Sequence, residues 1–399
     1  MMKGKTIVLG VTGSIAAYKI AGLASSLVKE GCEVHVVMTR NATNFINPIT
    51  FETLTGNKCL VDTFDRNFEF HVAHVSLAKK ADVILVAPAT ANIIGKMACG
   101  IADDMLSTVI LAAQCPIIVS PAMNTNMFRN SIVQENLQKL TAHGMTVIPP
   151  SVGRLACADV GEGKMPDEAV LMAYLRKAAA CEKDLKGLKV LVTAGPTQEP
   201  IDPVRYITNH STGKMGFAIA RAAMERGAEV TVIYGNTPVE PPLLVNAVKV
   251  RTAAEMLAAV KTHFPQSDIL IKSAAVADYT PAEYHDSKVK KKDGDLTLPL
   301  KRTADILREI SSLKQPGQQV CGFSMETENL LENSKKKLME KGLDLIVANN
   351  LNDHGAGFGV DTNVVTLISR EDAEQLPILT KEEVAHRILD HLLEQRKTL

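Results

Sequence analysis

Apolar residues along this chain fall into two patterns that alternate with one another. Short runs at Thr6–Val11, Glu33–Met38, Asp82–Ala87, Pro116–Ser120 and Met145–Ile148 have the length and β-branched content of strands covered on both faces. Between them, Ile15–Glu30, Thr90–Ala98 and Asp103–Ala113 read as helical segments. Strand alternating with helix predicts a parallel sheet wound with helices on both sides. The stretch 149–166, punctuated by Gly153, Gly161 and Gly163, is expected to be a loop, and a polar helix is expected over 167–185.

The pattern then restarts. Val190–Thr193 runs into Gly195-Pro196 and a polar loop, with a helix expected from about Ser211. Further strands are expected at Glu229–Tyr234, Asp268–Lys272, Gln319–Phe323 and Asp344–Ala348, again alternating with helices. The expectation is therefore α/β, two doubly wound Rossmann-like units, divided as 1–186 and 187–399. One long segment, Asp278–Leu300, has the length of a functional loop and carries Lys288, Lys290, Lys291 and Lys292.

Composition narrows the function classes. With 44 basic and 44 acidic residues the net charge is zero, which disfavours a general nucleic-acid binder or an electrostatically held membrane protein. Seven cysteines without paired spacing read as reduced thiols of a cytoplasmic protein. No apolar run reaches the roughly 20 residues that cross a bilayer.

The familiar nucleotide fingerprints fail. Neither unit shows G-x-G-x-x-G after its first strand, and neither has an acid after its second, where Thr39-Arg40 and Tyr234-Gly235 stand. That disfavours NAD, while a mononucleotide such as FMN could still set its phosphate on backbone N–H groups at Gly13-Ser14. His210-Ser-Thr-Gly-Lys214 departs from a P-loop at both ends, with Thr208 upstream and Met215 after the lysine.

Several side chains have two readings. Asn124, following Pro116–Ser120, is either a helix N-cap or a carboxamide at a strand's carboxyl end, where open α/β sheets bind ligands. His71 and His74 lack a third nearby ligand for a metal. Cys157 lies in a Gly-punctuated stretch and is either an inert or a reactive thiol. Arg205 is either a surface ion-pair partner or a clamp for phosphate or carboxylate. Lys335, Lys336, Lys337 and Lys341 form either a solvated helix face or part of a polyphosphate site.

Taken together, longer motifs resemble a known family. Ala87-Pro-Ala-Thr-Ala-Asn92, Pro121-Ala-Met-Asn124, Gly153-Arg-Leu-Ala-Cys157 and Gly161-Glu-Gly-Lys-Met165 resemble flavin-dependent cysteine decarboxylases. The run from Asp202 to Gly216, Ala274-Ala-Val-Ala-Asp278 and Lys288-Val-Lys-Lys291 resemble phosphopantothenate–cysteine ligase. In this order they resemble the bacterial bifunctional decarboxylase/ligase family of coenzyme A biosynthesis. The resemblance implies that the C-terminal unit activates 4′-phosphopantothenate with CTP, as an acyl-cytidylate, and joins it to cysteine. The N-terminal unit, a flavodoxin-like flavoprotein, then decarboxylates 4′-phosphopantothenoylcysteine to 4′-phosphopantetheine.

For the decarboxylase, the resemblance implies FMN at Gly13, Ser14, Thr39, Ala87, Thr90, Asn92 and Met123. Asn124 would hold the substrate carboxylate, His74 would assist at the flavin face and Cys157 would donate the proton that completes reduction. For the ligase, it implies CTP at Ala275, Asp278, Lys288, Asp305, Ile306, Phe323, Lys337 and Lys341, with Lys288 at the triphosphate and Arg205 and Asn209 at the acyl intermediate. Mg2+ or another divalent metal would accompany CTP, with no metal ligands assigned. A homo-oligomer, trimeric or higher, is also implied. Ala158, Lys164 and Ser324-Met325 depart from the family pattern. The alternative is a flavin-binding regulatory or partner-binding subunit that has lost its chemistry.

Overall fold

A computed structural model of the chain describes residues 2–64, 73–154, 160–290, 296–326, 329–350 and 359–397. The described chain divides into two compact units, Met1–Glu182 and Lys183–Leu399.

In the first unit, β1 (Thr6–Val11), β2 (Glu33–Met38), β3 (Val83–Ala89), β4 (Ile117–Pro121) and β5 (Thr146–Val147) form one sheet in the order β2-β1-β3-β4-β5. All of its pairings are parallel. Helices α1 (Lys19–Lys29), α2 (Pro48–Thr55), α3 (Ala73–Lys80), α4 (Ala91–Cys99), α5 (Met105–Ala112), α6 (Thr125–Arg129), α7 (Ser131–Ala142) and α8 (Glu168–Ala179) complete it. Because side chains alternate along a strand, Ile7, Leu9 and Val11 pack with Leu23 of α1 and Leu175 of α8, while Val8 packs on the other face with Ile94 of α4 and Leu106 of α5. Each such fully buried aliphatic side chain contributes about 1.5–3 kcal/mol. Gly10 is needed where α5 crosses, since a Cβ there would lie 2.6 Å from Leu106 Cδ1. A capping box starts α5: Asp104 Oδ1 accepts from Ser107 N (2.8 Å) and Ser107 Oγ from Asp104 N (3.1 Å).

Two expectations are corrected here. The stretch 149–166 is not all loop, because β6 (Ser151–Arg154) and β7 (Val160–Lys164) pair antiparallel within it. The glycines hid that pairing, since they break the apolar alternation that marks a strand. The following helix stops at Ala179, not Leu185.

The second unit has β8 (Lys189–Ala194), β9 (Gln198–Pro200), β10 (Tyr206–Thr208), β11 (Glu229–Tyr234), β12 (Asn246–Lys249), β13 (Ile269–Lys272), β14 (Tyr279–Pro281), β15 (Leu300–Arg302), β16 (Gln319–Glu326), β17 (Leu345–Asn350), β18 (Thr362–Asn363), β19 (Val365–Ile368), β20 (Ala373–Gln375) and β21 (Leu379–Thr380). Its helices are α9 (Lys214–Glu225), α10 (Ala253–His263), α11 (Ile306–Ser311), α12 (Leu330–Glu340) and α13 (Lys381–Lys397). The main sheet runs β12-β11-β8-β13-β16-β17-β19-β20, parallel as far as β17 and antiparallel beyond it. Val190 and Val192 pack with α9 and α13, whereas Leu191 and Leu270 face α10, α11 and α12.

The loop after β8 contains the β9–β10 hairpin, and its helix begins at Lys214, later than Ser211. The expected loop Asp278–Leu300 is closed at its base by β14 pairing with β15. No described helix is long and apolar enough to cross a membrane.

Candidate functional site

Strand order decides where each unit can hold a ligand. In an open α/β sheet the crevice lies outside the carboxyl ends of the strands where the winding reverses. In the first unit that point lies between β1 and β3, and in the second between β8 and β13.

At the first switch point Ser14 caps a short 3-10 turn over Ile15–Tyr18, its Oγ accepting from Ala16 N at 3.4 Å. Gly13 has no room for a side chain, since its Cβ would lie 2.7 Å from Asn41 Cβ. Thr12 Oγ1 donates to Pro88 O (2.6 Å) and accepts from Thr90 N (3.1 Å), so the turn after β1 is sewn to the end of β3. Thr39 directly follows β2, Ala87 lies in β3, Asn92 is in the first turn of α4 and Met123 follows β4. The expected flavin residues therefore share one carboxyl edge, although they span 110 positions of sequence. At that edge Thr39 Oγ1 and Ser120 Oγ are buried with no hydrogen-bond partner among the described residues. Buried hydroxyls of this kind are ordinarily satisfied, so an edge that leaves two open fits a polar ligand such as FMN.

Beside this edge, Asn124 does cap a helix: its Oδ1 accepts from Asn126 N at 2.8 Å at the start of α6. A carboxylate would be met by the NH2 end of the same amide, which alone donates. The β6–β7 hairpin is fastened here. Thr125 Oγ1 donates to Glu162 O (2.8 Å), Met123 N to Gly163 O (3.0 Å), and Arg129 pairs with Glu162 at 3.1 Å. Gly163 has φ +122°, and a Cβ on it would lie 2.3 Å from Met123 O. Gly163→Ala is therefore expected to unseat the hairpin, lowering the thermal midpoint and decarboxylation while ligation persists, as assays of both half-activities on the full chain would report. His74 is half-buried in the first turn of α3. Cys157, His71 and Ala158 lie outside the described residues. Of the other cysteines, burial pushes Cys32 up to about 11 and Cys59 up to about 12, and raises Cys115 and Cys321 as well. Those thiols are protonated and unreactive at neutral pH.

At the second switch point the segment after β13 is stitched to the segment after β8. Ala275 N donates to Gly195 O (3.0 Å), Thr197 N to Ala275 O (3.3 Å), and Ala277 N to Thr197 Oγ1 (3.0 Å). Asn209 Nδ2 donates to Ala275 O at 3.1 Å, so two of the expected residues meet directly. Thr303 Oγ1 donates to Ala277 O (2.6 Å), which brings the start of α11 alongside. There Asp305 caps the helix through Leu307 N and Arg308 N and pairs with Lys341 at 2.8 Å. Lys341 and the helix-end hydrogen bonds together hold the Asp305 carboxyl below its ordinary range, against the opposing effect of burial, the largest single influence on it. Lys337 Nζ reaches Ser324 Oγ at 3.4 Å, whereas Lys335 and Lys336 are exposed. The lysines of α12 and its C-cap thus divide: Lys337 and Lys341 pair toward Ser324 and Asp305, and Lys335 and Lys336 form a solvated face. Phe323 lies in β16, and Ile306 is the buried first residue of α11. Asp278 and Lys288 are exposed, and Lys291 and Lys292 lie outside the described residues.

Arg205 and Lys288 are joined through Asp202, whose side chain has no exposed surface. Asp202 Oδ1 accepts from Val204 N (2.8 Å) and Arg205 N (2.9 Å); Oδ2 accepts from Arg205 Nε (3.0 Å) and Val289 N (3.1 Å). Arg205 Nη2 also donates to Val289 O at 2.9 Å. Arg205 is therefore a clamp between its own loop and the residue next to Lys288. Spacing alone does not show this, because Asp202 and Val289 lie 87 residues apart. Lys214 is no P-loop lysine, since its ammonium is paired with Asp361 at 2.7 Å.

Comparison with known proteins comes from three sides. The family described as "Flavoprotein" matches residues 1–179, and the one described as "DNA/pantothenate metabolism flavoprotein C-terminal domain" matches residues 185–395. The chain is 45% identical to "Coenzyme A biosynthesis bifunctional protein CoaBC" of Bacillus subtilis (strain 168), over 98% of this chain and 97% of that one. It is 42% identical to the protein of the same name from Vibrio cholerae serotype O1, over 99% of each. A crystal structure of the C-terminal domain of a protein so named aligns at 41% identity and TM-score 0.48, covering 55% of this chain and 100% of that one.

Proposed function

From the premise that the chain belongs to the family of coenzyme A biosynthesis bifunctional proteins and carries its decarboxylase and ligase halves, we propose that its first switch-point site works with FMN and its second with CTP. The observation that supports this reading is that expected flavin residues lie at the first switch point and expected nucleotide residues at the second, each in the half of the chain that the matching family covers.

In the ligase half, CTP is the substrate that turns the carboxylate of 4′-phosphopantothenate into an acyl-cytidylate, with pyrophosphate leaving. Lys288 meets the triphosphate, where its charge offsets what develops on the leaving group. Mg2+ or another divalent ion would offset the negative charge of the phosphates during this step, with no protein ligands assigned to it. Asp202 and Arg205 fix the Lys288 segment against the β9–β10 hairpin, and Asn209, anchored on Ala275, holds the acyl intermediate while the amine of cysteine displaces CMP.

In the decarboxylase half, FMN supplies when bound the reversible two-electron chemistry that a cysteine carboxylate needs to lose CO2. Thr39, Ser14 and the Thr12–Thr90 junction would hold it. The NH2 group of Asn124 orients the substrate carboxylate, His74 assists at the reacting face, and Cys157 delivers the final proton. The reading includes a homo-oligomer and a reducing cytoplasmic setting, in which thiols stay unpaired.

Two measurements on one preparation test it. The purified protein is expected to show a bound-flavin absorption band, and pyrophosphate release is expected to require CTP together with 4′-phosphopantothenate. A colourless protein that retains no added FMN would remove the flavin half, and equal turnover with ATP would remove the CTP assignment.

A further inference from the structure

Lys272 is the last residue of β13, with Thr193 of β8 and Gly322 of β16 as its Cα partners. Neither the family motifs nor the hydrophobic pattern distinguishes it from an ordinary strand end. Alternation along β13 places it on the face of Leu270, toward α11 and α12, and opposite to Ile271, which faces α9 and α13. The charged groups around it are Lys341, Asp305, Asp278 and Lys337. Three ammonium groups, its own included, thus confront two carboxylates, and one carboxylate, Asp305, is already paired with Lys341. Among the described residues the Lys272 ammonium has no hydrogen bond and no ion pair. Burial, followed by the Lys341 charge, depresses its pKa even though the residue as a whole is only half-buried. An ammonium enclosed without a counter-ion is unfavourable unless an anion completes the site.

We propose that Lys272 binds an anionic phosphate oxygen of the nucleotide at the carboxyl edge between β13 and β16, and so contributes to nucleotide affinity alongside Lys337 and Lys341. The proposal rests on the CTP reading of this edge. Its sign is unusual for a partly buried lysine. In the free protein the ammonium opposes folding, because the native state holds that proton less tightly than the unfolded chain; only the bound ligand makes it favourable.

The test uses full-length Lys272→Met and Lys272→Arg, with rates of pyrophosphate release measured against CTP concentration and thermal midpoints measured with and without CTP. For Lys272→Met we expect the KM for CTP to rise by about tenfold or more, the size of one lost charge-assisted contact. The midpoint of the ligand-free protein should be unchanged or higher, the stabilisation by CTP should shrink, and decarboxylation of supplied 4′-phosphopantothenoylcysteine should be unaltered. Lys272→Arg should recover part of the CTP affinity. A lower ligand-free midpoint with an unchanged KM for CTP would make the lysine structural and overturn the proposal. So would a change confined to the KM for 4′-phosphopantothenate, or no change at all. Wild-type protein without a thermal or kinetic response to CTP would instead overturn the nucleotide reading, and this proposal with it.

Discussion

Asp202→Asn is expected to reduce ligase turnover by about 10²-fold, the scale of misplacing a reacting group by roughly an ångström, with decarboxylation of supplied substrate unchanged. Every partner of the Asp202 carboxylate is an N–H donor: two backbone amides on one oxygen, Val289 N and the Arg205 guanidinium on the other. An asparagine must turn its NH2 group toward one of those two sets, where donor would face donor. If it faces Val289, the segment carrying Lys288 loses its tie; if it faces Val204, the Arg205 loop opens. Either way kcat for pyrophosphate release should fall more than the affinity for CTP changes, because Lys288 is displaced and not removed. Asp202→Ala should be at least as severe. Wild-type turnover in both variants would show that the clamp does not position Lys288.

The clamp also sets a pH dependence. Arg205, followed by the backbone N–H groups, holds the Asp202 carboxyl well below its ordinary range. A carboxylate depressed in the native state adds stability that is complete above its unfolded pKa of about 4 and is lost as pH falls through the lower native value. Acid unfolding of wild type is thus expected to start below about pH 4, and Asp202→Asn should lose that part of the acid limb.

Cys157→Ser is expected to lower formation of 4′-phosphopantetheine by at least about 10²-fold, the usual loss when a proton donor is removed, while an oxidised form of the substrate accumulates and ligation proceeds. A hydroxyl is a far weaker acid than a thiol, so serine keeps the size of the side chain and removes its proton. The strands on either side of this residue, β6 and β7, are fastened to the helix that Asn124 caps. Product formed at the wild-type rate would end the assignment.

Much of the fold was legible before any coordinates. Thr6–Val11 is a strand at the expected bounds because a central parallel strand covered on both faces is buried at every position, and that leaves a nearly unbroken apolar run. The hairpins β6–β7, β9–β10 and β14–β15 left none, since ladders this short depend on partner backbone and not on an apolar pattern. Asn124 illustrates a reading in which both alternatives were physically sound: the structure shows the cap, and the proposed carboxylate role would use the other end of the same amide.

By itself the sequence determined two doubly wound units, through the burial each element demands, and by motif resemblance it named most of the residues at their edges. Tertiary structure alone decided which edges are neighbours. Strand order set the two switch points, brought Val289 to Asp202 across 87 residues, left Thr39 Oγ1 without a partner among the described residues and enclosed Lys272 among charges that do not balance its own. The physical reason is that periodicity reports how each residue sits on its own element. Hydrogen-bond satisfaction and charge balance depend on which distant element is packed against it.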